Sequence, residues 1–129
     1  MNLNKAELIG NLTADPTART LPSGTEIACF SLATSYKWRD GSKEPKTEVE
    51  YHVIVAYGRL GKVILSYLKK GDRIYIDGRL RTVQMPGKTP SYRTQIIASN
   101  LIMLGSSKAA KQEKVNDEVV VEEINPEKV

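Results

Sequence analysis

Between residues 2 and 104 the chain mostly alternates apolar and polar side chains with a period of two, and one stretch adopts a helical period instead. Such alternation sends successive side chains to opposite faces of an extended strand, so it specifies a sheet with one buried face. Leu3, Lys5, Glu7 and Ile9 alternate with Ala6, Leu8, Gly10 and Leu12, giving a first strand that ends near residues 13–16. A second strand covers residues 26–36 after the turn Leu21-Pro-Ser-Gly24, and a third covers 47–57. The polar stretch 37–46 between them, with Asp40-Gly41 and Pro45, reads as a hairpin loop. Fourth and fifth strands cover 73–83 and 92–104, and Pro86, Gly87 and Pro90 make the link between them a protruding loop.

The interruption lies at residues 58–71. Leu60, Val63, Ile64, Tyr67 and Leu68 fall at the i, i+3, i+4, i+7 and i+8 spacing of an amphipathic helix of about ten residues. Lys69 and Lys70 suit its C-terminal dipole, and Gly71 suits a left-handed stop. The order β-β-β-α-β-β is that of the five-stranded OB-fold barrel, an all-β class with one helix between strands three and four, which binds oligonucleotides.

The third strand carries the sharpest question. Val49, Tyr51, Val53, Val55 and Tyr57 share one face, and Glu50, His52, Ile54 and Ala56 share the other. Either the first face is the core and a second subunit covers part of the other, or the first face is open and binds something flat. Two core tyrosines with satisfied hydroxyls would fit the first alternative.

Composition narrows the chemistry. Residues 112–129 hold six acids against two lysines, a balance of −4, while the other 111 residues hold 17 Lys and Arg against nine Asp and Glu, a balance of +8. A basic body with an acidic appendage suits a polyanion binder, although a solubilising surface is equally compatible. We divide the chain into a folded domain, 1–105, and a disordered acidic tail, 106–129, whose only apolar run is Val119-Val-Val121. The longest apolar run of the body, residues 53–57, is far short of the roughly 18 residues of a membrane span. The first twelve residues lack the pattern of a secretory or transit segment, so a cytoplasmic protein is expected. One Cys and one His exclude a disulfide scaffold and a zinc finger. The acids of the body are scattered singly or in i, i+2 pairs, unlike the clustered carboxylates of a metal-dependent nuclease. No catalytic residue, metal or cofactor is expected, and Cys29 beside Phe30 reads as a buried small hydrophobe.

Several motifs stand together in order: Gly10-Asn-Leu-Thr-Ala-Asp-Pro16, Arg19, Pro22-Ser-Gly24, Phe30-Ser-Leu-Ala-Thr34, Trp38-Arg-Asp40, Thr47-Glu48, His52, Gly58-Arg-Leu60, Tyr67-Leu-Lys-Lys-Gly71 and Ile76-Asp-Gly-Arg-Leu-Arg-Thr82. Over residues 1–105 the chain thereby resembles the bacterial single-stranded DNA-binding protein family. The resemblance implies an OB-fold assembling as a homotetramer (in some relatives, a dimer of two-domain chains). It implies nucleoid-associated coating of single strands during DNA replication, recombination and repair. It implies base stacking at Trp38, Tyr51 and Tyr57, and at Met85, where the family usually has Trp. Arg59, Lys70 and Arg81 match basic positions of the motif as phosphate partners, and His52 and Tyr75 match positions at subunit contacts. The family's tail usually ends in Asp-Ile-Pro-Phe or similar and docks replication and repair proteins. The present tail is acidic but ends in Glu122-Glu-Ile-Asn-Pro-Glu-Lys-Val129, without the Phe and without a Gly- and Gln-rich spacer.

A protein indifferent to sequence must use what all nucleotides share, namely π faces and phosphates, because base-edge hydrogen bonds discriminate. Lys5, Arg39, Lys43, Lys46, Lys62, Lys88 and Arg93 complete the candidate phosphate partners. A nuclease, an RNA-preferring OB-fold and a barrel without ligand are the competing readings; the last leaves Trp38 unexplained in its polar loop.

Overall fold

The computed structural model describes residues 1–41 and 43–105; the expected tail at 106–129 lies outside the described residues. The elements are β1 (Ala6–Leu12), β2 (Thr17–Thr20), β3 (Glu26–Trp38), β4 (Lys46–Tyr57), α1 (Gly58–Tyr67), β5 (Arg73–Met85) and β6 (Ser91–Gly105). The sheet runs β1-β5-β6-β4-β3-β2, and β1 also pairs with β3, closing five strands into a barrel. β1 divides its length to do so: residues 6–11 lie against β5, and Asn11 and Leu12 against β3. The closure is the expected OB-fold arrangement, with β4 and β6 meeting in parallel.

The core face of β4 is the one bearing Ile54 and Ala56, both fully buried. They join Leu12, Ala28, Phe30, Leu32, Ile74, Ile76 and Ile96, and α1 presses Ile64 onto the same cluster. The aromatic face of β4 therefore points out of the barrel. The first of the two alternatives for this strand is set aside by this packing, since Tyr51 is 67% exposed.

Close approach between strands is what permits the closure. A Cβ on Gly78 would run into the carbonyl of Ile97, and one on Gly10 into the carbonyl of Ala33. Gly78 sits at the register shift of the β5–β6 ladder, where the strand bends.

Three details differ from the sequence reading. The four residues of β2 pair with β3 as a short sixth strand, all exposed, and so carry no apolar alternation to read. The helix stops earlier than Gly71: Leu68 is already extended and donates its N–H to Ile64 O at 3.0 Å. Lys69 and Lys70 thus lie past the last helical turn, in a tight turn whose N–H groups donate to Asp72 Oδ2 and Asp15 Oδ1. Cys29 is half-buried rather than buried, on the outer face beside Ile27, Val55 and Ile97, and this partial burial raises its thiol pKa against the opposing pull of Arg19. No helix among the described residues is long and apolar enough to cross a membrane.

Adding one methyl at the strand crossing tests the closure. Gly78→Ala is expected to cost about 1–3 kcal/mol, the usual penalty of overpacking, seen as a lower urea midpoint at unchanged slope. An unchanged midpoint would show that the β5–β6 crossing has room to spare.

Candidate nucleic-acid interface

Beyond the barrel wall, two ribbons run on without each other. β3 and β4 pair continuously out to Trp38 and Lys46, and β5 and β6 out to Met85 and Ser91. Between the ribbons, β4 and β6 share only three pairs, from Val53–Gln95 to Val55–Ile97. Two arms therefore leave the barrel with an open surface between them.

Register decides which side chains share that surface. Directly opposed residues point the same way, so Ala33–Tyr51, Ser31–Val53–Gln95 and Cys29–Val55–Ile97 lie on one face. Arg81 opposes Gln95, Val83 opposes Arg93 and Met85 opposes Ser91, which extends the same face along the second arm. Tyr51, Tyr57, Met85, Arg81 and Arg93 are thus brought together from two distant segments. Six residues of strand separate the two tyrosines by roughly 20 Å at ~3.3 Å per residue.

The middle of the face is organised by Arg81. Its guanidinium lies 5.7 Å from the centre of the Tyr57 ring, a cation–π distance, and Nη2 donates to Gln95 Oε1 at 3.2 Å. Its buried Nε has no hydrogen-bond partner among the described residues. The result is a positive, flat surface held in place beside a tyrosine.

Trp38 stands elsewhere. It opposes Lys46, and its parity puts it on the reverse face of the first arm, together with Tyr36. The two rings stack with centroids 5.9 Å apart and planes 21° apart. Lys46, at the root of Trp38's cross-strand pair, reaches Asp40 at 3.6 Å, an exposed ion pair that a phosphate can replace at small cost.

Arg39, Lys43 and Lys88 are exposed in the two arm-tip loops, at residues 39–45 and 86–90. Arg59 and Lys62 project from α1, Lys70 belongs to the turn after it, and Lys5 precedes β1; none of these four shares the register of the open face. Arg79 and Lys37, which do share it, escaped the sequence reading because only register reveals them. Exposed Tyr92, on the reverse face of the second arm opposite Gln84, was missed for the same reason.

Residues 3–104 match the single-strand binding protein family. The chain belongs to this family. It is 42% identical to single-stranded DNA-binding protein 1 of Xylella fastidiosa over 109 residues, covering 81% of this chain and 79% of that protein. It is 39% identical over 107 residues to the single-stranded DNA-binding protein of Neisseria meningitidis, again over 81% of this chain but only 62% of the longer relative. Among solved structures, a Plasmodium falciparum SSB in complex with ssDNA superposes with a TM-score of 0.73 at 38% identity, over 81% of this chain and 96% of that one. The family is one of binding proteins rather than enzymes, and among the described residues no group of His, Cys, Asp and Glu could hold a metal ion.

The second cluster of interest lies on the outside of β1, β5 and β6. Ile9, Tyr75, Ile102 and Leu104 line a shallow depression there with Asp77, Asn100 and Leu101. Tyr75 shares its hydroxyl proton between Glu7 Oε2 at 2.8 Å and Asp77 Oδ2 at 2.9 Å. Losing that proton would forfeit both bonds at once, that to Glu7 mattering most and that to Asp77 next, so the phenol's pKa is raised far above the ordinary range. Asp77 is held below the usual carboxylate range by the Asn100 amide at 2.9 Å and then by the Tyr75 hydroxyl. His52, the other expected contact residue, is half-buried and bonded to Thr34 Oγ1 at 2.8 Å.

A depressed carboxylate contributes stability above its unfolded pKa, about 3.9, and loses it as pH falls through the lower folded value. Tyr75→Phe deletes one of the two donors to Asp77, so the Asp77 titration followed by side-chain carboxyl NMR is expected to move up toward 3.9. A titration that stays where it was would assign the effect to Asn100 and the nearby charge of Lys5 instead.

Proposed function

We propose that this chain binds single-stranded DNA irrespective of sequence and protects it during replication, recombination and repair. Residues 1–105 form the binding domain, and the acidic residues 106–129 form an appendage to it. Bases stack on Tyr51, Tyr57 and Trp38, with Met85 as a ring-free packing surface at the end of the second arm. Arg81 and Arg93 on the open face, and Arg39, Lys43, Lys46 and Lys88 at the arm tips, meet phosphates. Arg59, Lys62, Lys70 and Lys5 lie where a strand would pass after leaving that face. The observation that carries this reading is the outer face itself, which exposes Tyr51 and holds a guanidinium over the half-buried Tyr57 at the edge of the apolar cluster of Ile27, Val55 and Ile97.

The working form is a homotetramer acting in the cytoplasm, associated with the nucleoid, on exposed single strands. In support, the half-exposed apolar side chains of Ile9, Ile102 and Leu104 surround Tyr75 on one face of the sheet. A monomer gains nothing from exposing them, and His52 lies off this patch on the first arm as a further contact. Ile102→Glu is expected to lower the mass seen by sedimentation to that of a dimer or monomer. A tetrameric mass from this variant would move the contact elsewhere.

Tyrosine and Trp38 fluorescence, titrated with oligo-dT, oligo-U and duplex DNA, tests the binding itself. Strong quenching by oligo-dT with little response to duplex is expected, and log K should fall with log salt at about −0.7 per neutralised phosphate. Equal affinity for oligo-U would point to RNA, and cleavage with magnesium to an enzyme. Met85→Trp is expected to tighten binding, because stacking on a ring gives about 1–3 kcal/mol per base where a thioether gives less.

A further inference from the structure

The Tyr36–Trp38 pair has no part in the fold. Tyr36 is 67% exposed and Trp38 36% exposed, neither belongs to a core cluster, and both lie beyond the barrel on the first arm. Two large rings left in water would be costly to no purpose unless the pair acts as a unit. Being two residues apart on one strand, they are held on the same face by the backbone. Near-parallel planes at 5.9 Å lay the phenol against one face of the indole, and Trp38 keeps 36% of its surface exposed.

The surroundings say what the exposed part of the indole receives. Glu48 stands directly opposite Tyr36 and Glu50 opposite Thr34, both exposed on this same side of the arm. Two carboxylates repel phosphate from the Tyr36 end of the pair, whereas Lys46, opposite Trp38 and ion-paired to Asp40, offers a cation at the arm tip, so a strand crossing here sets its backbone toward Lys46 and turns an uncharged base toward the rings. A base is flat and needs a flat partner whose orientation is already fixed. An isolated surface tryptophan must lose rotamer freedom on binding; a tryptophan already braced by a neighbouring ring has lost it beforehand.

We infer that Tyr36 is a positioning residue for base stacking, bracing Trp38 from behind so that a base, indole and phenol form one three-ring stack. This rests on Trp38 being a base-stacking residue, as proposed above. Its signature is that Tyr36 acts only through Trp38.

The test uses the full chain, labelled oligo-dT and a thermodynamic cycle of Tyr36→Ala, Trp38→Ala and the double variant, with Tyr36→Phe as the conservative control. Tyr36→Ala is expected to weaken binding about 2- to 10-fold, the range given by a ring–ring coupling of about 0.5–1.5 kcal/mol. It should also reduce the quenching of Trp38, the protein's single tryptophan, at saturating DNA. Tyr36→Phe should bind and quench like the parent, and adding Tyr36→Ala to Trp38→Ala should cost nothing further. Because Tyr36 is exposed, the urea midpoint of Tyr36→Ala should match the parent and separate bracing from folding. If Trp38→Ala weakens binding while Tyr36→Ala neither weakens it nor changes the quenching, the bracing role is wrong and base stacking on Trp38 stands. Additive losses in the double variant would make Tyr36 a direct contact and overturn the inference as well. If Trp38→Ala binds like the parent and Trp38 is not quenched, the stacking role of Trp38 fails, and the brace falls with it.

Discussion

Everything on the outside of this protein depends on how β1 divides its hydrogen bonds. By pairing with β5 along most of its length and with β3 at Asn11 and Leu12, it closes the barrel at one end. That closure uses five strands but only part of β3, β4, β5 and β6. The remainder of those strands has nowhere to go except outward, as two arms. Glycines at residues 10 and 78 make the geometry possible, because any side chain there would collide with a carbonyl of the neighbouring strand. The small core enclosed in this way is built from Ile, Leu, Phe and Ala, with the helix as its plug.

The arms turn one pattern into two environments. Along β4 the same alternation that sends Ile54 and Ala56 into the core sends Val53, Val55 and Tyr57 to the outer face. Further out, beyond the last pairing with β6, there is no longer an inside. There the face of Tyr51 and the reverse face of Tyr36 and Trp38 are both open. A strand that is buried on both faces at residues 54–56 becomes accessible from both sides at its far end. This is why one ribbon can offer rings in two directions, and why a long flexible polymer suits the surface better than a small ligand in a cavity. Arg81 adds the charge where the arms meet, fixed by Tyr57 and Gln95 rather than waving in solvent.

The outer side of β1, β5 and β6 follows different rules. Its apolar residues surround a hydrogen-bonded centre of Glu7, Tyr75, Asp77 and Asn100, so the face is neither a core nor an ordinary charged surface. The polar centre fixes the tyrosine ring, and the fixed ring gives the apolar rim a definite shape. Sequence alternation sets Ile9 on the same face as Lys5 and Glu7, but it does not distinguish an outward residue that stays wet from one that is later covered.

The amino-acid sequence by itself determined the strands, the helix, their order and hence the barrel, because periodicity and turn residues are local properties that survive without a partner. The family resemblance also implied Trp38, Tyr51, Tyr57 and Met85 as a set of base-stacking positions. What it left open was which face of β4 is the inside, since both faces of that strand carry apolar residues and only packing against Ile64, Ile74 and Ile96 chooses between them. The four exposed residues of β2 and the early helix stop at Leu68 were also invisible, being set by pairing with β3 and by the carboxylates of Asp72 and Asp15. Tertiary structure alone decided that Trp38 stands on the reverse of the arm from Tyr51, backed by Tyr36, and that Arg81 reaches Tyr57 across β6. The reason is physical: register between strands distant in sequence fixes which side chains meet, and no local pattern records register.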